Sequence, residues 1–213
     1  MKEFIRGMYE KPRFAKRFLF CFVAVCLMGF CVSWLELISF GTDPCSVLAY
    51  GISGKLGISY GNWLAAFNCV LLIAVIIWGR NNIGFGTVLN MFLVGYSCDF
   101  TTWLRGKLFP ELVLEELWLR ILLMVVVLAL FVFVAAVYMS VDLGTAPYDA
   151  IPFLISQKTD KLSFRVIRII WDCAAMAIGF ALGATAGIVT LAMAFALGPA
   201  IAFVKKHIEK YLN

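Results

Sequence analysis

The sequence predicts an all-α, polytopic membrane protein whose six transmembrane helices form two inverted three-helix repeats. Three observations lead to this fold class: the composition, six apolar stretches of spanning length, and motifs that recur at a nearly constant spacing. Of the 213 residues, 63% are hydrophobic and only 15% are charged. A soluble domain of this size needs more charged residues to cover its surface, so we expect the chain to lie in a lipid bilayer.

Six apolar stretches are long enough to cross a membrane. Each holds about 20 residues, which is the length that a helix needs for a hydrocarbon core about 30 Å thick. The first stretch is too long and too aromatic for a cleaved signal peptide, so all six are expected to remain. The predicted spans cover residues 17–39, 59–79, 83–104, 118–141, 163–183 and 185–204.

The distribution of Lys and Arg predicts that both termini are cytoplasmic. With the basic N-terminal segment 1–16 inside, 14 basic residues fall on the inner side and four on the outer side, as the positive-inside rule requires. The two repeats then cover 17–104 and 118–204, joined by an outer loop at 105–117 and followed by a basic cytoplasmic tail at 205–213. Because these charges flank apolar segments, they are topology signals, and no nucleic-acid partner is expected.

A Gly-Thr-x-Pro motif occurs twice, in "FGTDP" at 40–44 and "LGTAP" at 143–147, which are 103 positions apart. Further matches at a spacing of 103 or 104 pair Gly84 with Gly187, Thr87 with Thr190, and Asn68 with Asp172. Several matches in the same order predict an internal duplication. Since each copy holds three spans, the second copy enters the membrane from the opposite side, an architecture found in many secondary transporters.

Each motif is followed by a segment of about ten residues, enough for about 15 Å of helix. The two segments, 44–53 and 147–156, are either re-entrant half-helices that dip in from opposite faces or amphipathic helices in the membrane interface. Asp43 is the expected N-cap of the first, with Pro44 at its first position. Thr145 is the expected N-cap of the second.

The N-terminus of a re-entrant half-helix suits an anionic group, because its N–H groups are free and its dipole end is positive. Asp43 and Asp149 lie beside these ends and can fill that role themselves, which weakens any prediction of anion selectivity. Pro152 is expected to kink or end the second half-helix.

The fifth span carries a carboxylate near its middle, Asp172, about nine residues from its start. Arg168 precedes it by four residues, so an ion pair along one helix face is available. One interpretation is a polar centre for a substrate or a proton, since ionisable groups at mid-membrane depth are functional by default. The other is a structural salt bridge with a hydrogen bond between helices. The candidate substrate-binding residues are Asp172, Arg168, Asn68, Trp171, Thr42, Asp43, Thr145, Asp149 and Asn90, and the candidate hinges are Gly41, Gly144, Gly84 and Gly187.

Catalytic and cofactor signals are weak. The single histidine, His207, lies in the basic tail, and the seven cysteines show no CxxC spacing. No glycine-rich loop with a lysine follows the pattern of a phosphate cradle. We therefore expect neither an enzyme nor a resident metal or cofactor.

The doubled motif, in "FGTDP" and "LGTAPYDA", resembles that of the YczE-like bacterial membrane proteins of the YczE/YyaS/YitT group, as do the six spans, the basic N-terminus and the short tail. The resemblance covers most of the chain. It implies a multi-pass protein of the bacterial inner membrane and supplies no catalytic or substrate residues. Members are often linked to pyridoxal-phosphate-type regulators, so the resemblance also implies a vitamin B6-like compound as one cargo.

Two functions remain in competition. The leading hypothesis is a secondary transporter or facilitator of a small polar metabolite, with its site between the two repeats and with glycine hinges that allow alternating access. The competing hypothesis is a membrane scaffold or sensor that modulates a partner protein and moves nothing. Six helices are few for a transporter, although a homodimer would enlarge the bundle.

Overall fold

The computed structural model describes residues 13–79, 83–110, 112, 114–159 and 162–212, which form eight α-helices and no β-strand. In chain order these are α1 (Phe14–Ile38), α2 (Pro44–Leu56), α3 (Tyr60–Trp78), α4 (Phe85–Leu108), α5 (Leu117–Ser140), α6 (Pro147–Lys158), α7 (Phe164–Ala181) and α8 (Ile188–Leu212). Each of the six predicted spans coincides with most of one of the longer helices, and the short helices α2 and α6 follow the two motifs. The all-α prediction is confirmed within these ranges.

Four helices are long and apolar enough to cross a membrane: α1, α3, α5 and the part of α8 at Ile188–Ile208. The remaining longer helices, α4 and α7, are more polar. Helix α4 carries Asn90 and Asp99, and the 18-residue α7 carries Arg165, Arg168 and Asp172. The protein is therefore a polytopic helical membrane protein, and two of the three charged residues of α7 named here, Arg168 and Asp172, belong to the predicted site.

Helix α1 packs along both α4 and α5. The principal contacts occur in matching sets: α1 packs on α4 as α5 packs on α8, and α3 packs on α4 as α7 packs on α8. The short helices cross between the two halves, so that α2 packs on α7 and α6 packs on α3. The two halves consequently interlock instead of standing side by side.

The first short helix begins as the sequence predicts, and the second does not. Asp43 caps α2 by accepting the Ser46 N–H at 3.0 Å, and Pro44 is the first helical residue. The N-cap of α6 is Ala146, with no side-chain cap, so the prediction of Thr145 as the cap was wrong. The physical reason is register: Pro147 starts the helix, which places Thr145 one residue before the capping position.

Helix α6 also continues past Pro152 to Lys158. A proline inside a helix removes one backbone hydrogen bond. Burial of Ile151 and Leu154 against Val75 of α3 offsets that loss. Pro152 therefore does not end the helix.

Each Gly-Thr-x-Pro motif contacts the start of the last helix in the other half. The Phe40 carbonyl accepts the Val189 N–H at 3.1 Å, and the Leu143 carbonyl accepts the Gly86 N–H at 2.7 Å. Both partners of one bond lie 103 positions from those of the other. The two hydrogen bonds form a reciprocal pair that joins the halves of the chain.

The four predicted hinge glycines lie in these two junctions. Gly41 and Gly144 have φ values of 99° and 112°, which favour glycine. A Cβ on Gly41 would lie 2.7 Å from Gly187 N, and a Cβ on Gly144 would lie 2.5 Å from Gly84 N. All four glycines thus permit a close approach of backbones, and their role as hinges stays a prediction.

Candidate functional site

A cavity of about 670 Å³ lies in the interior, and each of the eight helices contributes to its wall. Its size falls within the range of small-molecule sites, about 300–1,000 Å³. Most of its wall is apolar, and a group of charged and amide side chains occupies one part of it. Seven of the nine predicted substrate-binding residues line it: Asp172, Arg168, Asn68, Asp43, Thr145, Asp149 and Asn90.

The charged group is centred on Arg168. Its Nε donates to Asp172 Oδ2 at 2.8 Å, which confirms the predicted ion pair along α7, and its Nη1 donates to Asp149 Oδ1 at 2.6 Å. The Tyr148 hydroxyl donates to Asp172 Oδ1 at 2.8 Å. The Arg168 guanidinium also lies 5.5 Å from the centre of the Tyr148 ring. We name Arg168, Asp149, Asp172 and Tyr148 the arginine cluster, which ties α6 to α7.

The cluster is partly removed from solvent, with side-chain exposures of 34% for Asp149, 26% for Arg168 and 5% for Asp172. Charge-assisted hydrogen bonds are about twice as strong as neutral ones. Buried ion pairs in turn depend on each partner, because removing one leaves an uncompensated charge. The four side chains of the cluster therefore stabilise one another. A group that binds one of them would leave another buried side chain without its partner.

Asn68 occupies the equivalent depth in the first half, on α3. It is 3% exposed and lines the cavity, and its Oδ1 accepts no hydrogen bond from any described residue. Asn90 of α4 also lines the cavity and is 8% exposed. An orphaned buried acceptor is costly, so the Asn68 amide is suited to a donor from a water or a ligand.

The two capping carboxylates have different roles. Asp43 caps α2, so the start of that helix already has its acceptor. Asp149 lies in the first turn of α6 and pairs with Arg168. The expectation that these carboxylates fill the helix ends themselves is confirmed for Asp43, and Asp149 serves the arginine cluster instead.

Two predicted residues lie outside the cavity. Trp171 packs its ring on Tyr148, with the centroids 5.5 Å apart, and so supports the cluster from behind. Thr42 lines a separate cavity of about 190 Å³ together with Glu36 and Gly183. Sequence reasoning missed Tyr148, although it adjoins Asp149 in the "PYDA" segment of the second motif.

Equivalent positions of the two halves line the same cavity. Pairs of lining residues 103 or 104 positions apart include Cys45 with Tyr148, Ser46 with Asp149, Leu64 with Arg168, and Asn68 with Asp172. Both halves contribute lining positions, but the charged groups are unequally distributed. The first half supplies Asp43, and the second half supplies the arginine cluster together with Arg165 and Lys205.

The described residues include no group of three His, Cys, Asp or Glu side chains placed to hold a metal ion. What the geometry offers is a partly open cavity with charged and hydrogen-bonding groups in an otherwise apolar wall. Such a site binds and orients a small molecule.

Comparison with known proteins gives a family and relatives without an assigned activity. The model of a family of unknown function, DUF6198, matches residues 15–206. An uncharacterized protein of Haemophilus influenzae is 25% identical over 182 residues, which are 84% of this chain and 79% of that protein. The uncharacterized membrane protein YczE of Bacillus subtilis is 25% identical over 150 residues, 70% of this chain and 67% of YczE. No solved structure matches the chain.

Proposed function

We propose that this chain, which belongs to the DUF6198 family and is a YczE-like membrane protein, is a secondary transporter or facilitator of a small polar metabolite. The observation that carries the proposal is the cavity between the two halves, with the arginine cluster in its wall. Ionisable groups inside a membrane protein mark substrate or ion pathways by default. A binding cavity at the interface of two structural units is where secondary transporters place their substrate.

The proposal includes six spans arranged as two inverted repeats. The reciprocal hydrogen bonds at the two motifs, the matching helix contacts and the paired lining positions all support a duplication. Helices α2 and α6 are proposed to be re-entrant. Burial of residues along both short helices supports this placement over one on the membrane surface.

We further propose the bacterial inner membrane as the location, with both termini cytoplasmic. The excess of basic residues on the inner side supports this orientation. Arg165 at the start of α7 and Lys205 near the end of α8 both line the cavity. In this orientation, that part of the cavity faces the cytoplasm.

The mechanism follows from the contacts. A substrate that reaches the arginine cluster competes for Arg168 or for one of its carboxylates, and so loosens the tie between α6 and α7. Because α6 packs on α3 of the other half, a movement of α6 is transmitted across the interface. The junctions at Gly41 and Gly144 are where the two halves would change their relative position.

The test is ligand binding followed by flux. Thermal unfolding of the purified protein is measured against small metabolites, including vitamin B6-like compounds, amino acids, and organic anions and cations. A ligand at about a hundred times its Kd adds about 2.7 kcal/mol to the folded state, which is a readable shift. The ligand that binds is then loaded into proteoliposomes, and its transmembrane flux is measured.

Asp172→Asn is expected to reduce this flux strongly while the protein still inserts and folds. An amide keeps one acceptor for Tyr148 but loses the charge that faces Arg168. The matched control is Asp99→Asn, because Asp99 lies on α4 outside the cavity and accepts the Gly61 N–H at 3.0 Å. Equal flux in the Asp172→Asn variant and the unmodified protein would remove the arginine cluster from the transport mechanism.

One observation favours the scaffold or sensor as the second candidate. Arg168, Asp149, Asp172 and Tyr148 satisfy one another without any ligand, as a purely structural network would. On this alternative, no small molecule of the panel stabilises the protein, and a partner protein is recovered with it from the membrane instead.

A further inference from the structure

We infer that the cavity selects an organic cation with an apolar body, such as a protonated alkylamine, and that Asp43 is its counter-ion. The inference rests on the proposed transport function and narrows its substrate class. It depends on three features of the described residues: the charge balance around Asp43, the orphaned amide of Asn68, and the apolar wall.

Beside Cys45 in the cavity wall, three carboxylates, Asp43, Asp149 and Asp172, share one nearby cation, Arg168. Arg168 uses Nε on Asp172 and Nη1 on Asp149, so both of these carboxylates share a single guanidinium. Asp43 lies within electrostatic range of Asp149 and Asp172, lines the same cavity, and forms no ion pair with a described residue. Its Oδ1 accepts one backbone N–H, from Ser46. Excess negative charge in a low-dielectric space favours the entry of a cation.

A second and independent feature, the side-chain amide of Asn68, favours a ligand that donates a hydrogen bond. Asn68 lines the same cavity and is only 3% exposed. Its Oδ1 accepts no hydrogen bond from any described residue. A protonated amine carries several N–H donors and so satisfies a carboxylate and an amide oxygen at once. An anion would satisfy neither.

The rest of the wall suits a bulky apolar body. Phe131, Tyr138, Phe153 and Phe195 line the cavity, and aromatic faces attract cations as well as apolar groups. A volume of about 670 Å³ is far larger than a water molecule, which occupies about 30 Å³, so a bare inorganic ion would leave most of it unfilled.

Two further basic residues line the cavity, Arg165 and Lys205. Arg165 is exposed, so solvent and salt screen its charge. Lys205 is half-buried near the end of α8. Arg165 lies in the first turn of α7 and Lys205 in the C-terminal part of α8, whereas Asp43 lies within electrostatic range of Asp149 and Asp172 of the arginine cluster.

The test uses three matched probe series that share a phenylalkyl body of increasing chain length: protonated amines, alcohols and carboxylates. Binding to the purified full chain is measured by thermal unfolding and by calorimetry. We expect the amines to bind and the other two series to bind at least about tenfold more weakly, which is what the loss of a charge-assisted hydrogen bond implies. Asp43→Asn should weaken the amine by a similar factor.

The control is Glu115→Gln, which makes the same change of charge on an exposed residue outside the cavity. It should leave amine binding unchanged. Carboxylates or alcohols that bind as well as the amines would overturn the inference and leave a transporter of another substrate class standing. Amine binding that survives in Asp43→Asn, or no binding by any series, would overturn it as well. Amine binding without flux in proteoliposomes would instead contradict the proposed function.

Discussion

Arg168 holds two carboxylates from different helices with two different nitrogens. Asp149 comes from α6 and Asp172 from α7, so the guanidinium is both a neutralising charge and a mechanical tie. The free energy lost when one partner of such a pair is removed exceeds the free energy that the intact pair contributes. Removing one partner of a buried ion pair is strongly destabilising, because the remaining charge stays in a poorly solvating place.

We expect Arg168→Met to lower stability by about 3 kcal/mol, since it leaves the buried Asp172 and the partly exposed Asp149 without their cation. Adding Asp172→Asn to this variant should restore part of the loss, because one uncompensated charge is removed. The measurement is the apparent melting temperature in detergent. The control is Arg165→Met on the same helix, where an exposed arginine without a described ion pair should change stability by less than about 0.5 kcal/mol. Equal losses at the two positions would contradict the role of the cluster.

Part of the arginine cluster was predictable from residue spacing, and part was not. Arg168 and Asp172 are four residues apart on one helix, so their contact follows from helix geometry. Asp149 and Tyr148 belong to another helix, and their approach depends on how α6 packs against α7. Spacing along the chain carries no information about that approach, which is why Tyr148 was missed.

For the short helices α2 and α6, too, the sequence predicts some features and not others. The motif predicts where α2 begins, because Asp43 is a suitable cap and Pro44 suits the first helical position. It places the start of α6 one residue too early, since Ala146 and not Thr145 is the N-cap. It does not predict what each helix packs against. The close approach of α2 to α7 depends on Gly51 and Gly179, since a Cβ on Gly51 would lie 2.9 Å from Gly179 Cα. Only the assembled structure brings these two glycines together.

The contact between each Gly-Thr-x-Pro motif and the start of α8 or α4 can be tested by substitution of glycine. We expect Gly41→Ala to destabilise the protein far more than Gly183→Ala. Both glycines have nearly the same φ, 99° and 100°, so the backbone strain of an alanine is similar, about 1–3 kcal/mol. A Cβ on Gly183 meets nothing within 4 Å, whereas a Cβ on Gly41 would collide with Thr190 Oγ1 and Gly187 N.

Thermal unfolding of the two alanine variants separates strain from contact. A similar loss of stability in both would mean that the junction between the motif and the start of α8 contributes little. A larger loss of stability for Gly41→Ala would show that the contact matters. A similar loss for Gly144→Ala, whose Cβ would collide with the backbone of Gly84, would establish the two junctions as matching structural elements.

At the scale of the molecule, a constant spacing in sequence becomes a set of reciprocal contacts. The spacing of 103 predicts that Gly41 and Gly144 are equivalent, yet equivalence does not say which residues touch. In the structure, each motif contacts the start of the last helix in the opposite half, near Gly84 or Gly187. The interlocked arrangement explains how the cavity acquires walls from both halves, with Asp43 from the first half and the arginine cluster from the second.

The side from which the cavity is reached is the remaining property of the whole molecule. Cys45 lines the cavity and is half-buried, so it reports on access to the centre. In a variant that keeps only this cysteine, we expect a membrane-impermeant thiol reagent to label it in inverted vesicles and not in intact cells. The reason is that Arg165 and Lys205 line the cavity and lie on the cytoplasmic side in the orientation that we propose from the positive-inside rule.

A variant that keeps only Cys31 is the matched control, because this residue has 0% exposure and lies outside the cavity. It should remain unlabelled from both sides. Labelling of Cys45 from the outside alone would reverse the proposed orientation of the cavity, and a tag on the C-terminus would show whether the whole chain is inverted with it. If an alkylamine slows the labelling of Cys45 from the inside, the reagent and the ligand share one space. That result would connect the charge of Asp43, the packing of α2 and the access of the cavity in a single measurement.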